Sequence, residues 1–346
     1  MTEDERCQLA LSTYDLGTVR EICHHAGTAA KTWRVKTDRG AWLLRTRGSR
    51  TSTDELIAFD HGLRQHLVQR AIPTAEPVPN RAGARFVRVD GMAMEVYELL
   101  PGRTIGQADL TQIRSAAELL ARFHRAAHDY LADMPPVAQY RTLGLDQASP
   151  RMESPALLAR VYGRLAEDAR IRFPVARTVA TVWLGRLREE FPDTVYDALP
   201  QTMTHGDFTL ANLLFAPDGA VCGVFDFDWS RRAPRVRDVA DGMFFVAGQR
   251  RTPLVAGNIW SLTEAVDLTV PRCVHWLRSY HAGNPLTAAE LAAIPLALAA
   301  RWLSVRVEGM AKVPPEDRLR FAFGSLSQPL VWLAERWGDV ARTVAV

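Results

Sequence analysis

"THGDFTLANLLF" (204–215) is followed, eight residues later, by "VFDFDWS" (224–230). His205, Gly206, Asp207 and Asn212 share one short polar loop ahead of the apolar run "LLF". "APDGA" (216–220) reads as a hairpin tip around Gly219, and "VCGVF" (221–225) as the returning strand. That return delivers Asp226 beside the first loop. The spacing therefore predicts Asp207, Asn212 and Asp226 together at one sheet edge.

Those side chains define a chemistry. Asn212 and Asp226 offer hard oxygen ligands, which suit Mg²⁺ better than zinc. Mg²⁺ keeps waters and completes its shell with phosphate oxygens. Asp207 is left to accept a hydroxyl proton. A metal, a base and a bound polyphosphate are the equipment of phosphoryl transfer.

Working outward, 346 residues favour two lobes or domains. Hydrophobic residues at 47% and charged residues at 23% are ordinary for a soluble globular chain. A net charge of +3 is too small to argue for nucleic acid and suits an anionic small ligand. Cys7, Cys23, Cys222 and Cys273 lack CxxC spacing, so neither a zinc site nor a disulfide framework is expected and a reducing cytoplasm is the simplest home. "MTEDERCQLA" (1–10) is acidic and polar, unlike a signal peptide. "LAAIPLALAA" (291–300) covers half a membrane span and holds Pro295, so no membrane partner is expected.

The first hundred residues read as sheet-rich. "KTWRVKTDRGAWLLRTR" (31–47) is a hairpin turning at Asp38 and Gly40, and 84–90 and 92–100 are two further strand-like runs. Between them, 53–70 has helical spacing, with Leu56, Phe59, Leu63 and Leu67 on one stripe and Thr53 as N-cap. "PGR" (101–103) breaks the chain. We expect a nucleotide lobe at 1–98, a hinge at 99–103 and a helical lobe at 104–346. Helices are predicted over 110–131, 154–168, 176–190, 286–310 and 325–344, with a proline-bearing loop at 132–153.

"HGDFTLANLLF…GVFDFD" resembles the catalytic signature of the aminoglycoside-phosphotransferase and choline-kinase-like enzymes, which share the protein-kinase fold. The opening "STYDLGTVREI", the strand "GAWLLRTR" and the helix "AARWLSVR" look closest to type II homoserine kinases and the related stress-response kinase. The resemblance implies an α+β kinase-like fold and ATP-dependent transfer to a small-molecule hydroxyl on an amino alcohol, sugar or antibiotic. A protein Ser/Thr acceptor and a catalytically weak nucleotide sensor are the rivals it leaves.

It also implies roles. Asp207 is the expected catalytic base, with Asn212 and Asp226 as Mg²⁺ ligands. His205 orders the loop, and Asp238 braces its backbone. Arg45 stands where the family has a strand lysine, with Asp60 as its helix carboxylate and Glu55 as the fallback. Gly27 and Lys31 belong to the phosphate loop, and backbone near Glu98 and Leu100 is expected to meet adenine. Thr209, Asp228 and Arg301 are the acceptor-side candidates, although pairing with carboxylates such as Glu308, or snorkelling at a surface, is the better reading of Arg301 and Arg306. His124 and His128, spaced i and i+4, lack the glutamate of a zinc-protease pair and read as a helix-face pair.

Overall fold

A computed structural model describes residues 1–25, 31–48, 51–132, 153–252, 258–310 and 312–344. The predicted loop 132–153 and Gly27 fall almost wholly or wholly outside these. The chain opens with α1 (Glu3–Ser12), started by a reciprocal cap between Thr2 and Glu5. The sequence reading took this stretch only as polar. Yet Cys7, Ala10 and Leu11 recur at helical spacing and are the residues α1 buries.

Strands β1 (Val19–His25), β2 (Thr32–Thr37), β3 (Gly40–Thr46), β4 (Val87–Val89) and β5 (Met92–Glu98) form one antiparallel sheet in the order β1-β2-β3-β5-β4. Strand alternation sorts its faces. Trp33, Val35, Leu44, Met94 and Val96 join Cys7, Ala10 and Leu11 of α1 in a small apolar core. Arg45, Glu95 and Tyr97 have the opposite parity and face the other way, and Arg45 and Glu95 are cross-strand partners. Helix α2 (Asp54–Val68) crosses behind that polar face.

Its apolar stripe does not join the sheet's core. Phe59, Leu63 and Leu67 belong to the large core of the helical part, so α2 binds the sheet through polar groups and the helices through apolar ones.

That larger part holds α3 (Leu110–Ala127), α4 (Pro155–Arg164), α5 (Ala166–Arg172), α6 (Pro174–Glu190), α7 (Asp193–Asp197), α8 (Val236–Gly242), α9 (Val270–Gly283), α10 (Ala288–Met310), α11 (Arg318–Phe323) and α12 (Ser327–Val344). A π-helical turn, Met243–Ala247, extends α8. The helix predicted at 154–168 is two helices, α4 and α5, meeting at Leu165. Helix α10 is long and apolar enough to cross a membrane by length and composition, but it is buried without a break from 293 to 307 in the core of this lobe.

The segment between the two parts is pinned at both ends. Leu99 N–H donates to Ala41 O at 3.1 Å on the sheet side. Arg103 and Phe215 exchange two backbone bonds at 3.0 and 2.8 Å on the other. Gly102 sits at φ +105°, and a Cβ there would meet Cys222 Sγ at 2.5 Å. Only glycine passes this crossing unstrained.

Candidate active site

Two small ladders build the site. Strands β6 (Gln201–Thr204) and β9 (Arg231–Pro234) pair with Thr204 opposite Arg231. Strands β7 (Leu213–Phe215) and β8 (Val221–Val224) pair with Leu213 opposite Val224. The loop 205–212 therefore joins β6 to β7 while 225–230 joins β8 to β9. Both loops are anchored by the same two pairings and lie side by side.

Direct bonds lock them. Phe225 N–H donates to Asn212 O at 3.2 Å, and Ser230 Oγ donates to His205 O at 3.1 Å. Gly206, at φ +84°, lies so close to Trp229 that an added Cβ would sit 2.1 Å from its carbonyl oxygen.

His205 is fully buried. Its Nδ1 accepts Asp207 N–H at 3.3 Å, so the ring proton belongs on Nε2, which faces Phe225 O at 3.1 Å. Burial holds its pKa below the ordinary value and keeps the ring neutral.

Asp238 on α8 accepts His205 N–H at 2.6 Å and Gly206 N–H at 3.0 Å. It also takes His124 Nε2 at 3.0 Å, and His124 Nδ1 lies 2.7 Å from the Tyr280 hydroxyl. Burial alone would raise Asp238. The His124 bond, then the charges of His124 and Arg237, bring it down to about 2. His124 and His128 are thus no pair, since His124 is buried against Asp238 while His128 is exposed.

Asp207 is held by one side chain. Asn212 Nδ2 donates to both its carbonyl and its Oδ2, each at 2.9 Å. This use of the amide nitrogen leaves the lone pairs of Asn212 Oδ1 available to a cation. Thr209 is buried in the same loop, where its carbonyl accepts Asn212 N–H at 3.0 Å.

Asp226 adopts φ +67°, a left-handed backbone that aspartate tolerates better than most residues. Burial first, then the carboxylate of Asp228, with a smaller push from Asp207, raise Asp226 to about 6 against the pull of Arg45. Crowded carboxylates of this kind are relieved by a cation.

The N-terminal cations are not arranged as the sequence suggested. Arg45 reaches across the cleft, with Nη2 2.8 Å from Asp228 Oδ2 and 3.4 Å from Asp226 Oδ1. It makes no bond to Asp60. The guanidinium partners of Asp60 are Arg47 and, at 3.1 Å, Arg64. Asp60 is a short acid on the far side of the sheet's polar face, and Arg47, two residues on with the same parity, fits between it and Glu95.

Glu55 is exposed on α2 and takes no part. Lys31 has the parity of Trp33 and Val35, so it faces α1, where it pairs with Glu3 at 2.5 Å; the expected phosphate-loop role is corrected accordingly.

Asp228, expected on the acceptor side, faces the sheet lobe instead. It accepts from Arg45 and from Thr51 Oγ1 at 3.3 Å. Arg301 is buried, bonded to Asp241 and, at 3.2 Å, to Glu308. Its Nε and Nη1 are engaged inside the helical core, away from the acceptor side where it was expected. Arg306 is also buried and donates to the carbonyls of Trp302, Thr263 and Gly324 rather than to any carboxylate. Glu98 is exposed at the end of β5, and Leu100 packs over Gly223.

Sequence reasoning missed Arg47, Arg64, Glu95, His124 and Tyr280. The parity of Arg47 with Arg45 was a usable signal. Nothing local ties Tyr280 to residue 124.

The phosphotransferase enzyme family model matches residues 23–273. The homoserine kinase of Methylobacillus flagellatus is 29% identical over 305 residues, covering 87% of this chain and 83% of that protein. The homoserine kinase of Rhodospirillum rubrum is 26% identical over 321 residues, covering 92% and 89%. Among solved structures, a microcompartment-associated aminopropanol kinase superposes with a TM-score of 0.66 at 16% identity, over 98% of this chain and 99% of that one. An aminoglycoside phosphotransferase from Alicyclobacillus acidocaldarius gives 0.59 at 17% identity, over 98% and 95%. The fold is kinase-like.

Proposed function

This chain belongs to the phosphotransferase enzyme family and its reaction is phosphoryl transfer to a hydroxyl; we propose that the donor is ATP with Mg²⁺ and the acceptor a small amino alcohol. The observation that carries the reading is the convergence of Asp207, Asn212 and Asp226 at the meeting of two loops, facing Arg45 from the other lobe.

The donor set fits Mg²⁺. Asn212 and Asp226 offer oxygen donors only, which suit a hard cation better than zinc. Asn212 and Asp226 would hold Mg²⁺, a hard ion that takes few protein ligands and fills its shell with water and phosphate. When bound, it supplies neutralisation of charge on the phosphoryl oxygens.

The chain's own residues do the rest. Asp207, fixed by Asn212, orients the acceptor hydroxyl and takes its proton as the oxygen attacks. His205 stays neutral and holds the loop's shape. Arg45 brings positive charge to the phosphate side of the cleft, and backbone near Glu98 and Leu100 faces adenine. Positioning and electrostatics provide most of the rate. Because homoserine kinases align along nearly the whole chain, homoserine is the first acceptor to try, ahead of sugars and antibiotics.

The experiment is ADP release from ATP with an acceptor panel, with and without Mg²⁺. Turnover should require both metal and acceptor. Asp207→Ala should lower kcat at least ~100-fold with unchanged circular dichroism. Normal turnover by that variant overturns the base assignment, and turnover in chelator overturns the metal.

A further inference from the structure

The segment Asp226-Phe227-Asp228 is read from the opposite lobe by three arginines. Arg45 touches Asp226 and Asp228. Arg64 of α2 lies over the Phe227 ring at 4.8 Å and over Tyr97 at 5.0 Å. Arg47 Nη1 stands 3.8 Å from Asp228 Oδ1, an oxygen that is buried and has no hydrogen-bond partner.

Arg47 is nearly inaccessible, and two of its three guanidinium nitrogens are committed elsewhere. Its Nε donates to Glu95 Oε1 at 2.7 Å, its Nη2 bonds Asp60, and its backbone N–H is fixed to Ala93 O at 2.9 Å. Glu95 is held in turn by His61 at 2.7 Å and Tyr97 Oη at 2.8 Å. One guanidinium thus ties β3, β5 and α2 together and presents its remaining nitrogen to Asp228.

The geometry points to Arg47 as a positioning residue for phosphotransfer, acting through Asp228. A single strand cation would have to hold both the helix carboxylate and the phosphates. In this chain two arginines divide that work. Arg47 takes the α2 carboxylate and fixes Asp228, and Asp228 sets where Arg45 points. Arg45 is thereby freed from Asp60 and kept beside Asp226. Arg47 touches no reacting atom. This rests on the ATP reading above.

The test is a double-mutant cycle on nucleotide binding, read by calorimetry with a non-hydrolysable ATP analogue and Mg²⁺. Arg47→Lys keeps the charge but loses the fork that serves three carboxylates at once. It should weaken binding about tenfold, within the usual coupling range for groups in one network. In an Asp228→Asn background the same change should weaken binding less than about twofold. The kcat of Arg47→Lys should fall while the acceptor KM stays put. Equal losses in the two backgrounds, or a lowered denaturation midpoint with unaltered binding, overturn the inference. If Arg47→Lys does not fold, Thr51→Val, which removes the hydroxyl that also holds Asp228, is expected to weaken binding in the wild-type background only, and equal losses in both backgrounds overturn the inference as before. Failure of the unmodified chain to bind the analogue overturns the ATP reading itself, and the inference with it.

Discussion

Asp238 gives both carboxylate oxygens to the backbone of the loop that carries Asp207. Burial would raise it, but the bond and charge of His124, then the charge of Arg237, outweigh that and hold it near 2 rather than the ordinary 3.8. The folded state then binds fewer protons than the unfolded chain between those values. Stability from this group is complete above about pH 4 and disappears as the pH falls through 2, a loss of about 2 kcal/mol. Asp238→Asn should flatten that part of a urea-denaturation-versus-pH profile; an unchanged acid slope would show that other carboxylates set it. At this scale the "HGD…N" loop and its returning aspartate were legible, because the spacing of a loop and a hairpin forces the contact. Arg45 was legible as a cleft cation. Its partner was not, since choosing between Asp60 and Asp228 depends on which carboxylate a guanidinium of fixed length meets across the cleft.

Elements show how packing overrides pattern. Helix α8 ends in a π turn, and Gly242 is the last residue before it. A Cβ at Gly242 would lie 1.9 Å from the Trp276 ring, which is fully buried and donates its indole N–H to Val239 O at 3.1 Å. Gly242→Ala must displace the indole or bend α8, at a cost of about 1–3 kcal/mol. The urea midpoint should drop, with a shift in tryptophan emission as the ring moves; an unaltered midpoint would mean that α9 slides to accommodate the methyl. Because α8 also carries Asp238, the loss should extend to activity. Most helices were readable from their apolar spacing and caps. Helix α1 was overlooked because its few apolar residues are diluted by charge, and the break between α4 and α5 at Leu165 is preceded only by Gly163, a weak cue inside a helical pattern.

Across the whole molecule, two apolar cores meet through α2, which joins the sheet by ion pairs and the helical lobe by Phe59, Leu63 and Leu67. A ligand that engages Arg45 on one side and Asp226 on the other stabilises both halves together. At a hundredfold excess over Kd, ATP with Mg²⁺ should add about 2.7 kcal/mol, seen as a rise in melting temperature. The rise should be lost in Asp226→Asn; an equal rise there would place the nucleotide outside this cleft. By itself, the sequence determined the order of sheet then helices and the grouping of Asp207, Asn212 and Asp226, whose separation is at most a loop and a hairpin, while its resemblance to known phosphotransferases pointed to the family. Periodicity, turn chemistry and short spacings suffice for the order and the grouping, because they act between near neighbours in the chain. Only the tertiary structure decided that Arg47 rather than Arg45 holds Asp60, that Lys31 turns to α1, that Arg301 is consumed by Asp241, and that His124 and Tyr280 stand behind Asp238. Each is a charged or polar group choosing among partners distant in the sequence, and for all but the exposed Lys31 that choice is set by reach and desolvation in the packed molecule.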